Sequence, residues 1–260
     1  MQDRVVVITG ASAGIGAALA ELVAKSDGIP VLFARRGAEL EAVRSRCGER
    51  ALAVTGDVTR REDVERLSLE AIRERGGIDV WVNNAGRGIT RKVSELTDED
   101  VDSMIAVNVK SALYGMQVVL PHFRQRGRGH IINVSSMLGR VPFAPVRSAY
   151  SAAKHALNSL TANLRMELCD EYPEIQVSSV HPGVVATGFG LSALHGGVDS
   201  RSFPSAQSAE EVAQVIADTI SSRRADVYTR PGAQSMVVAY YSHEDMGQAE
   251  REPPFPVTKR

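Results

Sequence analysis

Short apolar runs alternate along the chain with longer segments in which apolar residues recur every three or four positions. The runs Val5–Thr9, Val31–Ala34, Ala51–Thr55, Val80–Asn83, His130–Ser135, Gln176–Val180 and Ala225–Tyr228 read as strands. Most are apolar nearly throughout, as in strands covered on both faces, rather than alternating like strands with one face in water. Between them, Gly16–Lys25, Ala38–Arg46, Arg61–Arg75, a long segment over Asp98–Tyr114 and beyond, Ala149–Cys169 and Ala209–Ser221 carry the helical period. Strand–helix alternation of this kind predicts an α/β fold, a Rossmann-like, doubly wound parallel sheet with helices on both faces.

Two segments break the rhythm. Gly188–Ser208 is rich in Gly and Ser yet carries Phe189, Leu191, Leu194 and Phe203. The stretch after Tyr241 has no clear period and contains Pro253, Pro254 and Pro256, which predicts a frayed or surface-draped tail. No Pro- or Gly-rich linker and no internal repeat divides the rest. The expected organisation is one domain over residues 1–241, with 188–208 as a substrate loop, and a C-terminal tail over 242–260.

Composition excludes some partners without naming an activity. Lys plus Arg number 30 and Asp plus Glu 31 in 260 residues, a net charge of -1. So even a balance gives no electrostatic reason to expect nucleic acid or an anionic membrane. No run approaches the roughly 18 apolar residues of a membrane-spanning helix. Met1–Arg4 leads directly into the first strand instead of a signal peptide. Cys47 and Cys169 lack metal-binding or redox spacing, so no metal is expected and a reducing, cytoplasmic setting fits.

Candidate chemistry begins where the first strand ends, at Thr9-Gly10-Ala11-Ser12-Ala13-Gly14-Ile15-Gly16. Glycines there permit a tight turn and close approach of a pyrophosphate, whose charge the following helix N-terminus favours. A glycine-rich turn can also be a mere connection; its place after the first strand of an α/β series favours phosphate binding. The second strand ends at Ala34-Arg35-Arg36. An acidic residue at that point would bind a free ribose 2′-hydroxyl, whereas arginine suits a 2′-phosphate. The pair therefore points to NADP(H), the competing reading being a solvated basic pair at a helix start.

Further motifs follow in order. Asp57 stands in Gly56-Asp57-Val58, and Asn83-Asn84-Ala85-Gly86 closes the fourth strand. Asn108 lies in the next helix, and the fifth strand leads into Asn133-Val134-Ser135-Ser136-Met137-Leu138-Gly139. Tyr150-Ser151-Ala152-Ala153-Lys154 and His181-Pro182-Gly183-Val184-Val185-Ala186-Thr187 complete the set. From Thr9 to Thr187 the chain thereby resembles the short-chain dehydrogenase/reductase family, with its TGxxxGIG, NNAG and YxxxK motifs.

That resemblance implies hydride exchange between NADP(H) and a small-molecule carbonyl or alcohol, with Asn108, Ser136, Tyr150 and Lys154 as catalytic residues. Cofactor contacts would come from Gly10, Ser12, Gly14, Ile15, Gly16, Arg35, Arg36, Asp57, Val58, Asn84, Ala85, Gly86, Tyr150, Lys154, Pro182, Gly183, Val185 and Thr187. Tyr150 would exchange the proton, its pKa lowered by Lys154, and Ser136 would hold the substrate oxygen. Asn108 would anchor a water chain, and Val185 and Thr187 would fix the nicotinamide carboxamide. Ser136 rather than Ser135 fits the family's serine, although the stretch from Ser136 to Tyr150 is one residue longer than usual. The extra residue is placed near Ala144–Arg147.

Assembly as a homodimer or homotetramer is also implied. The ending beyond Tyr228 departs from that of the β-ketoacyl reductases and speaks against their role. A hydrophobic ketone or secondary alcohol is the expected substrate, bounded by Met137, Leu138, Val141, Phe143, Phe189, Leu191, Leu194 and Phe203, with Arg147 and His195 as candidate polar contacts. Those apolar residues could equally anchor the loop to the core. The other readings are a cofactor sensor without turnover and an isomerase, epimerase or dehydratase on a related scaffold.

Overall fold

The computed structural model describes residues 1–251. Its strands are β1 (Val5–Thr9), β2 (Ile29–Ala34), β3 (Leu52–Thr55), β4 (Val80–Asn83), β5 (Gly129–Val134), β6 (Ile175–His181) and β7 (Asp226–Tyr228). All pair in parallel in the order β3-β2-β1-β4-β5-β6-β7. Between them run α1 (Gly14–Lys25), α2 (Gly37–Cys47), α3 (Arg61–Arg75), α4 (Asp98–Ile105), α5 (Ser111–Arg126), α6 (Ser148–Leu168) and α7 (Ala209–Ser222).

Successive strand residues face opposite ways, which gives the sheet two apolar layers. Val6, Ile8, Leu32, Val82, Ile132 and Val180 pack against α1 and α7. Val7, Val31, Phe33, Trp81, Ile131 and Val177 pack against the other layer, with Val64, Leu67, Val119 and Phe123 from α3 and α5. Strands covered twice need apolar residues at consecutive positions, which is why the expected runs coincide with them to within about two residues. Strand order reverses between β1 and β4, and ligands of such sheets bind at the carboxyl ends of the strands beside this switch point.

Three sequence expectations change. The helix expected from Asp98 continues to Arg126, but widens into a π turn over Ala106–Lys110. By length and composition this helix is apolar enough to cross a membrane, although no single apolar run showed it; half of its most apolar window is buried within the protein.

Second, the stretch after β7 folds into α8 (Ala233–Tyr241) and α9 (Met246–Arg251). The beginning of the expected tail is thus helical, with Tyr240 Oη donating to Glu250 Oε1 at 2.8 Å. Pro253, Pro254 and Pro256 lie outside the described residues. Third, Met137, Val141 and Phe143 form a cluster with Ala233, Val237 and Tyr240. They seat α8 on the body of the protein, a role different from both the pocket lining and the loop anchoring expected of them.

Candidate active site

The turn between β1 and α1 is shaped by steric need. Gly10 has φ +69°, and a Cβ there would come within 2.9 Å of Ala85 Cα. A Cβ on Gly16 would collide with the Gly10 carbonyl oxygen and reach 2.7 Å from Asn84 Nδ2. Only glycine allows this closeness. Ala13 precedes α1 without a side-chain cap, so the first-turn N–H groups, including those of Gly14 and Ile15, have no side-chain acceptor. Such a helix start suits a pyrophosphate.

The turn is tied to the end of β4. Thr9 Oγ1 accepts from the N–H groups of Asn84 at 3.0 Å and Ala85 at 3.1 Å, and Asn84 Nδ2 donates to the Thr9 carbonyl at 2.9 Å. Arg36 Nη2 donates to Ser12 Oγ at 3.0 Å, and Arg35 Nη1 stands 3.8 Å from Asp57 Oδ2. The two arginines, Ser12 and Asp57 are therefore grouped at the ends of β1, β2 and β3. Val58 is buried against the α3 layer. Gly14 meets the methyl of Thr187, 3.1 Å from where a Cβ would stand, so the far wall closes on the glycine turn. Thr187 Oγ1 accepts from Phe189 N at 3.3 Å, a turn contact compatible with either role considered for it. Pro182 O accepts from Met137 N at 2.8 Å, linking the Pro182–Gly183 turn to the segment after β5. Val185 is buried and bridges to Gln207.

Around the other end of this groove stand Asn108, Ser136, Tyr150 and Lys154. Lys154 is buried and donates from Nζ to the Val134 carbonyl at 2.9 Å; Nζ is 5.8 Å from the Tyr150 ring centroid. Ser136 lies close enough to the Tyr150 phenol to favour its ionised form and accepts at Oγ from Leu138 N at 3.1 Å, whereas Ser135 Oγ turns to the Lys154 carbonyl. Asn108 sits in the π turn, donating to Arg87 O at 2.9 Å and to Met104 O at 3.1 Å, and accepting from Arg87 N at 3.2 Å. A Cβ on Gly86 would come within 2.9 Å of Asn108 Oδ1 and 3.7 Å of Lys154 Nζ.

Electrostatics here differ from the expected picture. Burial pushes the Tyr150 phenol up to about 12, opposed by the nearby Ser136 hydroxyl and then by the Arg147 charge. Burial pushes Lys154 down to about 8. Desolvation thus outweighs the neighbouring charges, because both groups are enclosed by protein. At neutral pH the phenol holds its proton and Lys154 is largely an ammonium.

The substrate loop is fastened down. Leu194 N donates to Gly88 O at 2.8 Å, Thr90 Oγ1 to Gly196 O at 2.6 Å, and Arg87 Nε to Ser192 O at 3.0 Å. His195 does not reach the site: its Nε2 lies 2.6 Å from Asp100 Oδ1, and Arg91 pairs with the same carboxylate at 2.9 Å. Leu191 and Phe203 point to solvent, whereas Leu138, Phe189 and Leu194 pack around Tyr150. Ala144–Arg147 forms a turn closed by Arg147 N donating to Ala144 O at 2.8 Å. Asp100 as partner of His195, and the packing of Gly88 against Arg147, carried no sequence signal, since both arise from contacts across the loop.

The sequence pattern of the short chain dehydrogenases matches residues 4–194. The chain belongs to this family. An uncharacterized oxidoreductase of Staphylococcus saprophyticus is 37% identical over 188 residues, 72% of this chain and 76% of that protein. A short-chain dehydrogenase/reductase from Burkholderia phymatum, solved in complex with NAD, superposes with a TM-score of 0.87 at 25% identity and covers 99% of both chains. One from Sphingobium yanoikuyae, in complex with NADPH, gives 0.80 at 27% identity over 99% of this chain and 98% of that one. This short-chain dehydrogenase thus has the fold of relatives solved with either nicotinamide nucleotide, and oxidoreductase chemistry is common to its family.

Proposed function

We propose that this short-chain dehydrogenase is an NADP(H)-dependent oxidoreductase that interconverts a carbonyl and an alcohol, with Tyr150 as general acid and base. The observation carrying this reading is the convergence of Tyr150, Ser136 and Lys154 at one end of the groove whose other end holds the glycine turn, Arg35 and Arg36. Arg35 stands beside Asp57 and Arg36 between Ser12 and Glu39; these exposed guanidinium groups favour a nucleotide with a 2′-phosphate, whose oxygens they can bind in pairs. The bound nucleotide supplies or accepts the hydride.

The protein's share is orientation and proton transfer. Ser136 donates to the substrate oxygen and stabilises charge as it develops there. Tyr150 delivers its proton to that oxygen during reduction, a role suited to a phenol that is protonated at neutral pH. Lys154, anchored on Val134 O, is placed to hold a ribose hydroxyl and to favour the phenolate once the proton has left. Asn108 fixes the backbone of Arg87 beside Gly86 and so shapes the inner wall.

Loss of NADPH absorbance with a panel of ketones, aldehydes and oxo acids tests the reading. Turnover with NADPH well ahead of NADH is expected. Tight NADPH binding with no turnover on the whole panel would indicate a cofactor sensor instead.

A further inference from the structure

We propose that Arg147 is a carboxylate-recognition residue, so that the preferred substrate is an oxo acid, or the matching hydroxy acid, with an apolar remainder. The proposal deepens the reading above and rests on it for the reaction, though not for the binding.

Arg147 immediately precedes α6, one helical turn before Tyr150, and its side chain is half-buried between two segments that wall the substrate side. Its Nη1 donates to the Ile89 carbonyl at 3.1 Å. That same nitrogen is 3.0 Å from where a Cβ on Gly88 would stand, as is Phe189 Cε1, and Nη2 is 3.2 Å from the corresponding point on Gly197. Side chains are missing at the two positions where they would crowd the guanidinium.

The neighbouring charges leave Arg147 without a counter-ion. Among the described residues no carboxylate lies within 4.0 Å of it, although ion pairs are plentiful elsewhere. Asp100, the acid of this wall, is already matched by Arg91 and His195. Arg87 and Lys154 add further positive charge on the same side, each bonded to a backbone carbonyl.

A half-buried cation without a partner is costly unless something anionic completes it. The guanidinium keeps Nε and Nη2 for a planar acceptor, the geometry a carboxylate matches with two parallel hydrogen bonds. Its place one turn from the phenol sets the carboxylate a few bonds from the reacting carbonyl. Phe189 and Leu194 leave an apolar surface for the remainder of the substrate.

The test pairs phenylpyruvate, benzoylacetate and benzoylpropionate with their methyl esters, using NADPH and the full chain. For at least one pair kcat/KM should favour the acid by roughly tenfold or more, mainly through KM. Arg147→Gln should abolish that ratio, and Arg147→Lys should retain part of it. The ratio is read within each protein, so a general loss of activity does not imitate the result. In parallel, hydrocinnamate, which has no carbonyl to reduce, should bind the NADPH complex at least roughly tenfold more tightly than hydrocinnamamide, and Arg147→Gln should remove the difference.

Equal binding of acid and amide, or a preference that survives in Arg147→Gln, would overturn the proposal. Arg147-dependent hydrocinnamate binding without turnover of any acid or ester would support the carboxylate site and refute the oxidoreductase reading. Turnover of acids and esters alike by wild type and Arg147→Gln would do the reverse.

Discussion

The ring of Phe189 meets the ring of Tyr150 edge-on, with centroids 5.6 Å apart and planes at 61°. Phe189 comes from the loop after β6 and Tyr150 from α6, so this contact joins the substrate loop to the proton donor. It also helps explain why the phenol is pushed up to about 12, since the ring takes the place of water beside it.

Replacing Phe189 by Ala should readmit water and lower that value toward the ordinary phenol range. Alcohol oxidation, which needs the phenolate, should then show its rising limb at lower pH, by about 0.5 to 1 in pH. The pH profiles of kcat/KM for Phe189→Ala and wild type provide the check. Coincident limbs would mean that the ring does not control the ionisation of Tyr150.

Cofactor choice is tested at the end of β2. Arg35→Asp replaces a cation by an anion beside Asp57, where a 2′-phosphate would have to sit. The Michaelis constant for NADPH should rise by roughly tenfold to a hundredfold, in keeping with loss of a charge-assisted contact. That for NADH should change far less. Steady-state kinetics with both nucleotides decide it, and an unchanged ratio would remove the argument for NADP(H).

The sheet was legible because its strands are apolar on both faces, and the groove because its motifs fall at strand ends and helix starts. Thr9–Gly16 and Asn83–Gly86 illustrate this: the first turns the chain out of β1, and the second closes β4 against it. Asn108 was legible as a residue but not as a shape. The π turn around it accompanies side-chain bonds to the Arg87 backbone, 21 positions away, and no local pattern encodes such a partner. Met137, Val141 and Phe143 were ambiguous for a related reason. Their apolar character was visible, but the helix they seat lies far along the chain. The raised Tyr150 and lowered Lys154 values are likewise consequences of enclosure, which a motif does not report.

His130 offers a test of stability. It is buried in β5 with Nε2 2.8 Å from Ser178 Oγ, and burial pushes its pKa down to about 4, with Arg223 and Arg4 adding to the effect. The folded value lies below the unfolded value of 6.5, so the unfolded chain takes up the proton first as pH falls. Its contribution to stability is complete above pH 6.5 and is lost between there and pH 4. The loss should amount to about 3 kcal/mol. Urea unfolding at pH 7 and pH 4 should show a correspondingly smaller drop for His130→Gln. An equal drop would show that His130 does not govern the acid response.

Tyr150 carries the central claim, and Tyr150→Phe tests it most directly. Single-turnover reduction with NADPH should slow by about a hundredfold to ten-thousandfold, the usual contribution of a positioned acid. NADPH affinity, followed by the fluorescence of the bound nucleotide, should stay nearly as in the wild type. Turnover comparable to the wild type would contradict the assignment of Tyr150 as the proton donor.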